Sequence, residues 1–220
     1  MGKLFVFTGS GISVESGIPT YRTKDSLWDK YDVEKVCTYS TWENNMQEVY
    51  DFYNQRRAEL FAIENGKRII KDNKAHQAVA KWIKQYGGIL ITQNVDDLHE
   101  QAGSTNVIHL HGRLQDMKCT ECFRVWDGKQ DEFVVNQTEC HYCGSHKVKP
   151  GTIFFGEAAP EYSKLHKAIS EIQEDDVVII IGTTGEVVPI DIFLSESPGY
   201  KILNNLEANQ YGEAMNGVNI

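Results

Sequence analysis

The sequence lacks long apolar runs and has few basic residues. No stretch approaches the roughly 18 apolar residues that a membrane-spanning helix needs, and the opening MGKLFVF leads into a strand-like segment instead of a signal-peptide core. Lys and Arg number 22 against 31 Asp and Glu, a net charge of -9. Nucleic-acid binding needs clustered Lys and Arg, so this composition argues against it. We therefore expect a cytoplasmic, monomeric protein that binds neither membrane nor nucleic acid.

The apolar content is sufficient for a core. A chain of 220 residues with 41% hydrophobic residues suits one domain, with or without an inserted lobe. Unalternated runs such as VVIII indicate strands buried on both faces. Between them lie helical patterns, such as residues 73–86 ended by Gly87. This alternation predicts an α/β fold with a parallel sheet. The predicted strands are Leu4–Phe7, Ile89–Ile91, Val107–Leu110, Val177–Ile181 and Ile202–Leu203.

Two segments interrupt the alternation, and both look like insertions that form a smaller lobe. One is a helical stretch from Glu43 to about Glu64 with apolar residues at helical spacing. The other holds four of the five cysteines, as CTEC and CHYC separated by 17 residues. This spacing is that of a zinc ribbon, in which four thiolates complete a tetrahedral site and leave no position for water. We predict one structural Zn²⁺ held by Cys119, Cys122, Cys140 and Cys143.

Two disulfides, or a redox pair, are the alternative for these cysteines. A chain with no secretory signal disfavours them. His141 and His146 lie nearby, but four cysteines already satisfy the ion. We expect Cys37 to be a lone thiol.

The segment TGSGISVESG follows the first predicted strand. Gly9 and Gly11 would let backbone N–H groups approach a pyrophosphate. The dinucleotide fingerprint requires a third glycine where this chain has Val14, which disfavours an ordinary Rossmann dehydrogenase. IIIGTTGEVVPI repeats the strand-then-glycine pattern at Gly182 and Gly185. At both places the glycines could equally serve turns alone.

The segment TQNVDDLHEQAG follows a strand, which places Gln93, Asn94 and Asp96 at the carboxyl edge of a parallel sheet, where ligands bind. Amides and a carboxylate there can read a carboxamide and ribose hydroxyls. Either Asp96 or Asp97 could instead cap the helix that follows, and we expect one to cap and the other to face the ligand.

VIHLHG places His109 and His111 on the same side of a strand by its period of two, with Gly112 beginning a turn. A histidine at a strand end beside a cleft is a candidate general base, because its pKa lies near neutrality. A histidine satisfied by local hydrogen bonds is the alternative.

Taken in order, TGSGISVESGIPTYR, TQNVDDLHEQAG, HLHG, the paired cysteines, FFGE and GTTGEVVP resemble the sirtuins, the NAD-dependent protein lysine deacylases. The resemblance runs from the first residues to about residue 207. It implies a Rossmann-like parallel-sheet domain with a smaller lobe made of a zinc ribbon and a helical insertion. The implied single catalytic domain, 1–220, has its core at about 1–25, 72–115 and 150–220, its helical insertion at about 26–71 and its zinc module at about 116–149.

By this resemblance the cofactor is NAD, and its binding residues can be carried over. The cofactor loop would comprise Gly9, Ser10, Gly11, Ile12, Glu15, Tyr21 and Arg22. Nicotinamide and ribose would be surrounded by Gln93, Asn94 and Asp96. The adenosine end would be closed by Gly182, Thr183, Thr184, Asn205, Leu206 and Glu207.

The resemblance also implies the catalytic residues, which are His111, Asn94 and Asp96. His111 would be the general base, drawing a proton through the ribose hydroxyls, with nicotinamide released and the acyl group transferred to ADP-ribose.

The partners implied are acylated lysine peptides or proteins. Two segments, FFGE and GEVV, resemble strand edges that clamp an extended peptide; their residues are Phe155, Gly156, Glu157, Gly185, Glu186 and Val187. Tyr53 and Arg56, three apart on one helix face, resemble the Y-x-x-R of sirtuins that remove acidic acyl groups. Arg56 could pair with a succinyl or malonyl carboxylate while Tyr53 donates a second hydrogen bond. An amphipathic helix with Tyr53 in the core and Arg56 solvated is the alternative.

We therefore predict an NAD-dependent desuccinylase or demalonylase with deacetylase activity. An NAD hydrolase or ADP-ribosyltransferase is the first alternative, because water or another nucleophile can intercept the same activated ribose. A non-catalytic sensor of NAD or ADP-ribose is the second.

Overall fold

The computed structural model describes residues 2–20, 32–128, 131–185, 187–205 and 218–219. The chain divides into two compact units. The first unit comprises Met1–Thr20, Lys71–Leu110 and Pro160–Ile220, and the second comprises Tyr21–Ile70 and His111–Ala159.

The described elements follow in chain order. They are β1 (Leu4–Thr8), a 3-10 helix (Ser10–Ser16), α1 (Val33–Val36), α2 (Met46–Phe61), β2 (Ile63–Glu64), β3 (Lys67–Arg68), α3 (Lys74–Tyr86), β4 (Gly88–Thr92), α4 (Leu98–Gln101), β5 (Ile108–His109), β6 (Asp116–Cys119), β7 (Val125–Asp127), β8 (Val148–Pro150), α5 (Tyr162–Ser170), β9 (Val177–Ile181), α6 (Ile190–Leu194), β10 (Tyr200–Asn204) and β11 (Val218–Asn219). Within the described residues, no helix combines the length and the apolar character needed to cross a bilayer.

The first unit is built on a six-stranded parallel sheet in the order β11-β10-β9-β1-β4-β5. Central β1 is buried throughout, because its LFVFT run has a neighbouring strand on each edge and side chains packed on each face. Starting from β1, the chain builds one half of the sheet through β4 and β5, then returns to build the other half from β9. The direction of winding therefore reverses between β1 and β9, which is where ligands bind in such sheets. The predicted α/β class with a parallel sheet is confirmed.

The two faces of the sheet carry separate cores. Because successive strand residues point to opposite faces, Phe5 of β1 packs in a cluster with Leu165 of α5 and Leu194 of α6. Val6 packs on the opposite face, in a cluster with Val79 of α3. Each such side chain contributes about 1.5–3 kcal/mol by its burial.

Helix α3 has strong end signals. The Asn73 side chain accepts hydrogen bonds from the amides of Ala75 and His76, and Nδ1 of His76 accepts the Asn73 amide, which makes a capping box. Gly87 follows the last turn and donates to the Ile83 carbonyl, as the sequence predicts.

The second unit contains α2 and a three-stranded antiparallel sheet in the order β7-β6-β8. The predicted helix to about Glu64 is too long, because α2 ends at Phe61 and β2 pairs with β3 as a hairpin. Asn65 and Gly66 both have positive φ (51° and 74°), which fits the two-residue hairpin turn that Asn-Gly favours. The Asn-Gly pair in the sequence was the signal for this hairpin.

Candidate functional site

The glycine loop lies against the carboxyl end of β9 in the first unit. Gly9 donates its amide to the Ile181 carbonyl and Gly11 donates to the Gly182 carbonyl, both at 2.9 Å. A Cβ on Gly11 would lie 2.7 Å from the Gly182 Cα, and one on Gly9 would lie 2.6 Å from the Gly182 carbonyl oxygen. Both amides are therefore bonded to backbone carbonyls in this structure, and the prediction that Gly9 and Gly11 bind a cofactor stays a prediction. The glycines instead allow two backbone segments to approach closely.

A buried polar chain runs from this loop to the carboxyl edge of β4. The Asn94 side chain donates to the Ser13 hydroxyl, and that hydroxyl donates to the Asp96 carboxylate, each at 3.0 Å. All three side chains are buried. The structure thus brings Asn94 and Asp96 together. Ser13 joins them, and because its burial cannot be read from its sequence position, sequence reasoning missed it.

Asp96 also occupies the start of α4. Its carboxylate accepts the Leu98 amide at 3.2 Å, whereas Asp97, at the N-cap position, makes no side-chain capping bond and accepts from Gln101. Asp96 is therefore the one of the pair that holds the start of the helix, and the expectation that the other faces a ligand stays a prediction. Burial raises the pKa of Asp96, while the Leu98 amide and the Ser13 hydroxyl oppose that rise.

The second glycine loop is held from two directions. The Asn205 side chain accepts the Thr183 amide at 3.1 Å and donates to the Thr183 carbonyl at 2.9 Å. The Gln93 side chain donates to the Thr183 hydroxyl at 3.0 Å, and this hydroxyl also accepts the Gly185 amide. Gln93, Thr183 and Asn205 are therefore in contact, with Asn205 holding the Thr183 backbone through both ends of its amide.

Other predicted cofactor residues have different settings. Ile12 is buried, Glu15 and Thr184 are exposed, and Ser10 and Gly182 are half-buried. Several predicted residues lie outside the described part of the chain. These are Tyr21, Arg22, Glu186, Leu206 and Glu207.

The two histidines of HLHG do not share a strand. Strand β5 ends at His109, and His111 lies in a turn that belongs to the second unit, so the prediction that both face one side of a strand is wrong. The His111 carbonyl accepts the Ile153 amide at 2.8 Å. At Gly112, with φ +71°, a Cβ would lie 2.0 Å from the Gly151 carbonyl oxygen, so the turn requires glycine.

His109 is a buried member of the first unit. One ring nitrogen lies 2.8 Å from the Asn94 carbonyl oxygen and the other lies 2.9 Å from a Glu100 carboxylate oxygen. The structure thus gives His109 the local partners that the alternative interpretation of a histidine expected.

In the second unit, the FFGE segment pairs with residues 37–39. Phe155 donates its amide to the Cys37 carbonyl at 2.8 Å and accepts the Tyr39 amide at 3.0 Å. The next residue, Gly156, has φ +79° and lies in a turn closed by the bond from the Glu157 amide to the Phe154 carbonyl, so the pairing ends at Phe155. The Phe155 ring itself is exposed.

Glu157 is the charged centre of the same segment. Its carboxylate, 3% exposed, accepts from Lys118 Nζ at 2.6 Å and lies 3.0 Å from Lys149 Nζ. It also accepts the Phe154 amide at 2.9 Å. Although burial opposes it, these partners lower the pKa of Glu157. The side chain that was predicted to bind substrate therefore holds the segment together.

Tyr53 and Arg56 each have a local partner. The Tyr53 hydroxyl lies 3.3 Å from Cys37 Sγ, and its ring, 6% exposed, stacks on Phe154 at 5.6 Å. Burial raises the pKa of Cys37 to about 11, so the sulfur is a thiol at neutral pH. Arg56 Nη2 lies 2.7 Å from a Glu59 carboxylate oxygen. The guanidinium therefore already binds a carboxylate, one supplied by its own helix.

The zinc prediction is supported by the second unit. The sulfur atoms of the four paired cysteines lie within 4.8 Å of one another. This donor set fits one tetrahedral zinc ion with no open position. His141 packs on Trp126, and His146 faces the Thr138 carbonyl, so neither belongs to the cluster.

Comparison with known proteins identifies relatives of this chain. A model described as the Sir2 family matches residues 9–189. An NAD-dependent protein deacylase of Helicobacter hepaticus is 40% identical over 222 residues, covering 94% of this chain and 86% of that protein. NAD-dependent protein deacylase 1 of Archaeoglobus fulgidus is 40% identical, covering 84% of this chain and 73% of that protein.

Solved structures agree. A Sir2 homologue in complex with NAD has a TM-score of 0.81 at 34% identity, covering 99% of this chain and 83% of that one. A mutant Sir2 homologue in complex with ADP ribose has a TM-score of 0.84 at 33% identity, covering 98% and 84%.

Proposed function

The chain belongs to the Sir2 family and is an NAD-dependent protein deacylase acting on acylated lysines, and we propose that it prefers acidic acyl groups, succinyl or malonyl. The observation that carries this preference is the Arg56 guanidinium, which holds a carboxylate at 2.7 Å. An acyl chain ending in a carboxylate offers the same partner, whereas an acetyl group offers none.

Exchange of the Glu59 carboxylate for a substrate carboxylate is energetically accessible. The Glu59 side chain is 48% exposed, and an exposed ion pair is worth roughly 0–1 kcal/mol. Glu59 uses only Nη2, while Arg56 Nε is buried with no hydrogen-bond partner among the described residues. A substrate carboxylate that engaged both atoms would make the bidentate pair that arginine favours. Tyr53, one turn earlier, would donate the second hydrogen bond once released from Cys37.

The cofactor residues are proposed from the carboxyl edge of the parallel sheet. The buried Asn94, Ser13 and Asp96 chain supplies amide, hydroxyl and carboxylate groups, a donor set that fits a carboxamide and sugar hydroxyls. When bound, NAD supplies the ADP-ribosyl group that accepts the acyl group as nicotinamide leaves. Asn94 and Asp96 would orient the nicotinamide ribose. The Thr183 loop, held by Asn205, would contact the adenosine end together with the predicted residues that lie outside the described part.

His111 is proposed as the general base. A histidine whose pKa lies near neutrality can take a proton from a ribose hydroxyl and return it to solvent. In the second unit, Gly156 on the FFGE segment is proposed to offer backbone groups to an acyl-lysine peptide. In the first unit, Gly185 on the second glycine loop is proposed as a peptide contact in its own right. The four cysteines would hold zinc as a structural ion that takes no part in the reaction.

The test uses one peptide bearing acetyl-lysine, succinyl-lysine or free lysine, incubated with NAD and analysed by mass spectrometry. We expect succinyl loss to be faster, with matching amounts of nicotinamide and succinyl-ADP-ribose. Arg56→Gln should remove that preference and leave deacetylation unchanged. Glu59→Gln, which removes the competing carboxylate, should lower the KM for the succinyl peptide alone.

The same assay separates the alternatives. Faster acetyl loss would retain the reaction and contradict the role of Arg56. Nicotinamide release without deacylation would instead favour an NAD hydrolase or ADP-ribosyltransferase, and binding without turnover would favour a sensor.

We further propose a monomeric, cytoplasmic enzyme that does not bind nucleic acid, on the basis of its acidic composition. Sedimentation, cell fractionation and a nucleic-acid mobility shift would test these three points.

A further inference from the structure

His109 connects two parts of the first unit through its ring. Nδ1 lies 2.8 Å from the main-chain oxygen of Asn94, and Nε2 lies 2.9 Å from Glu100 on α4. The imidazole side chain is 6% exposed. A buried ring with both nitrogens engaged has a single orientation, so the contact with Asn94 is a fixed feature of the fold.

The partners determine where the protons lie. A carbonyl oxygen can only accept, so Nδ1 must carry hydrogen and donate to Asn94. The contact of Nε2 with the Glu100 carboxylate favours a ring that carries hydrogen on this nitrogen as well. Burial lowers the pKa of His109, but the Glu100 hydrogen bond and charge, the Asn94 carbonyl and Asp96 outweigh it, and the net pKa is raised.

Asn94 lies in a segment where main-chain groups have no strand partner. Such groups need side-chain partners when they are buried. The Asn94 amide donates to the Thr92 hydroxyl at 3.1 Å, and its carbonyl accepts from His109. Side chains therefore hold both main-chain groups of Asn94. Because its backbone is held in this way, the Asn94 side chain is directed to Ser13.

We infer that His109, anchored by Glu100, is a positioning residue that fixes the backbone of Asn94 for the nicotinamide-releasing step. The inference rests on the proposed catalytic role of Asn94. Glu100 contacts Nε2 and so orients the imidazole ring, and Nδ1 of the oriented ring donates to the Asn94 carbonyl. Neither residue touches the reacting atoms.

Two substitutions at His109 separate the contacts. His109→Asn places an amide near the former Nδ1 and keeps a donor for Asn94, whereas His109→Gln places one near the former Nε2 and keeps a donor for Glu100. Misplacing a reacting group by about 1 Å costs on the order of 100-fold in rate. We expect His109→Gln to lose about that factor in kcat, with the KM for the acyl peptide unchanged, and His109→Asn to lose markedly less.

The experiment measures kcat, both KM values and Tm on the acyl peptide that the wild type turns over fastest, so it does not depend on acyl preference. His166→Gln, at an exposed position of α5, is the matched control and should behave as wild type. Equal kcat for the two His109 variants, or losses that follow Tm alone, would overturn the positioning role. An active Asn94→Ala variant would overturn the role of Asn94, and the inference with it.

Discussion

Replacing Glu157 by Gln tests the charged centre of the FFGE segment. The substitution keeps the shape of the side chain and removes its charge. Lys149, whose side chain is fully buried, then loses its only charged partner at 3.0 Å among the described residues and keeps its bonds to the Pro150 and Thr152 carbonyls, 4.0 Å from the Phe154 ring centre. Lys118, which is 16% exposed, also loses its carboxylate.

The expected cost follows from the buried ammonium. Removing one partner of a buried pair costs about 3–5 kcal/mol. Burial lowers the pKa of Lys149 to about 8 although Glu157 raises it, so the variant can escape part of the cost by losing the Lys149 proton. We therefore expect about 3 kcal/mol, which for a chain of this size is about 6–12 °C in Tm.

The sign of the pH dependence is also determined. Without Glu157 the folded-state pKa of Lys149 falls further below its value in the unfolded chain. Between that lower pKa and about 8, the unfolded variant binds more protons than the folded one, so its stability rises with pH while that of the wild type does not. The difference in Tm should therefore narrow towards pH 8 and stay constant above it.

Thermal unfolding followed by circular dichroism measures both effects. Glu121→Gln is the matched control, because Glu121 pairs with Lys147 at 2.8 Å but both side chains are about half exposed. Its Tm should equal that of the wild type. Equal Tm changes in Glu157→Gln and Glu121→Gln, or no recovery of stability in Glu157→Gln with Lys149→Met, would refute the reasoning.

Three further predictions concern metal, pH and backbone packing. Chelation should remove one zinc per chain and lower Tm, whereas Cys37→Ser should leave the zinc content, measured by atomic absorption, unchanged; a Cys37-dependent zinc would contradict the site. Burial lowers the pKa of His76 to about 4. The free energy of unfolding should therefore fall by about 3 kcal/mol as pH falls from 6.5 towards 4, because the unfolded chain takes up this proton first. His76→Gln, which keeps the capping box, should reduce the pH dependence of denaturant unfolding, and an unchanged dependence would count against it. Gly11→Ala should destabilise by about 1–3 kcal/mol, because its Cβ would meet the Gly182 backbone; a wild-type urea midpoint would show that the loops separate freely.

Local patterns in the sequence predicted the elements but not always their ends. Unalternated apolar runs located β1 and β9, and Gly87 located the end of α3. The helix predicted to about Glu64 is too long because Ile63 and Glu64, which follow the last apolar residues of α2, form the first strand of the hairpin closed by Asn65 and Gly66. The predicted strand Val107–Leu110 is too long because only Ile108 and His109 form β5. The apolar pattern of the sequence does not show how many of its residues pair with a neighbouring strand.

The sequence by itself determined the features that depend on the spacing of residues along the chain. The parallel α/β class follows from the alternation of strands and helices, the metal cluster from the two cysteine pairs, and the family from ordered motifs. Only tertiary structure decided which groups meet, because contacts between residues far apart in sequence depend on sheet order and packing. It paired the amides of Gly9 and Gly11 with the Ile181 and Gly182 carbonyls, placed Ser13 between Asn94 and Asp96, and buried Glu157 between two lysines.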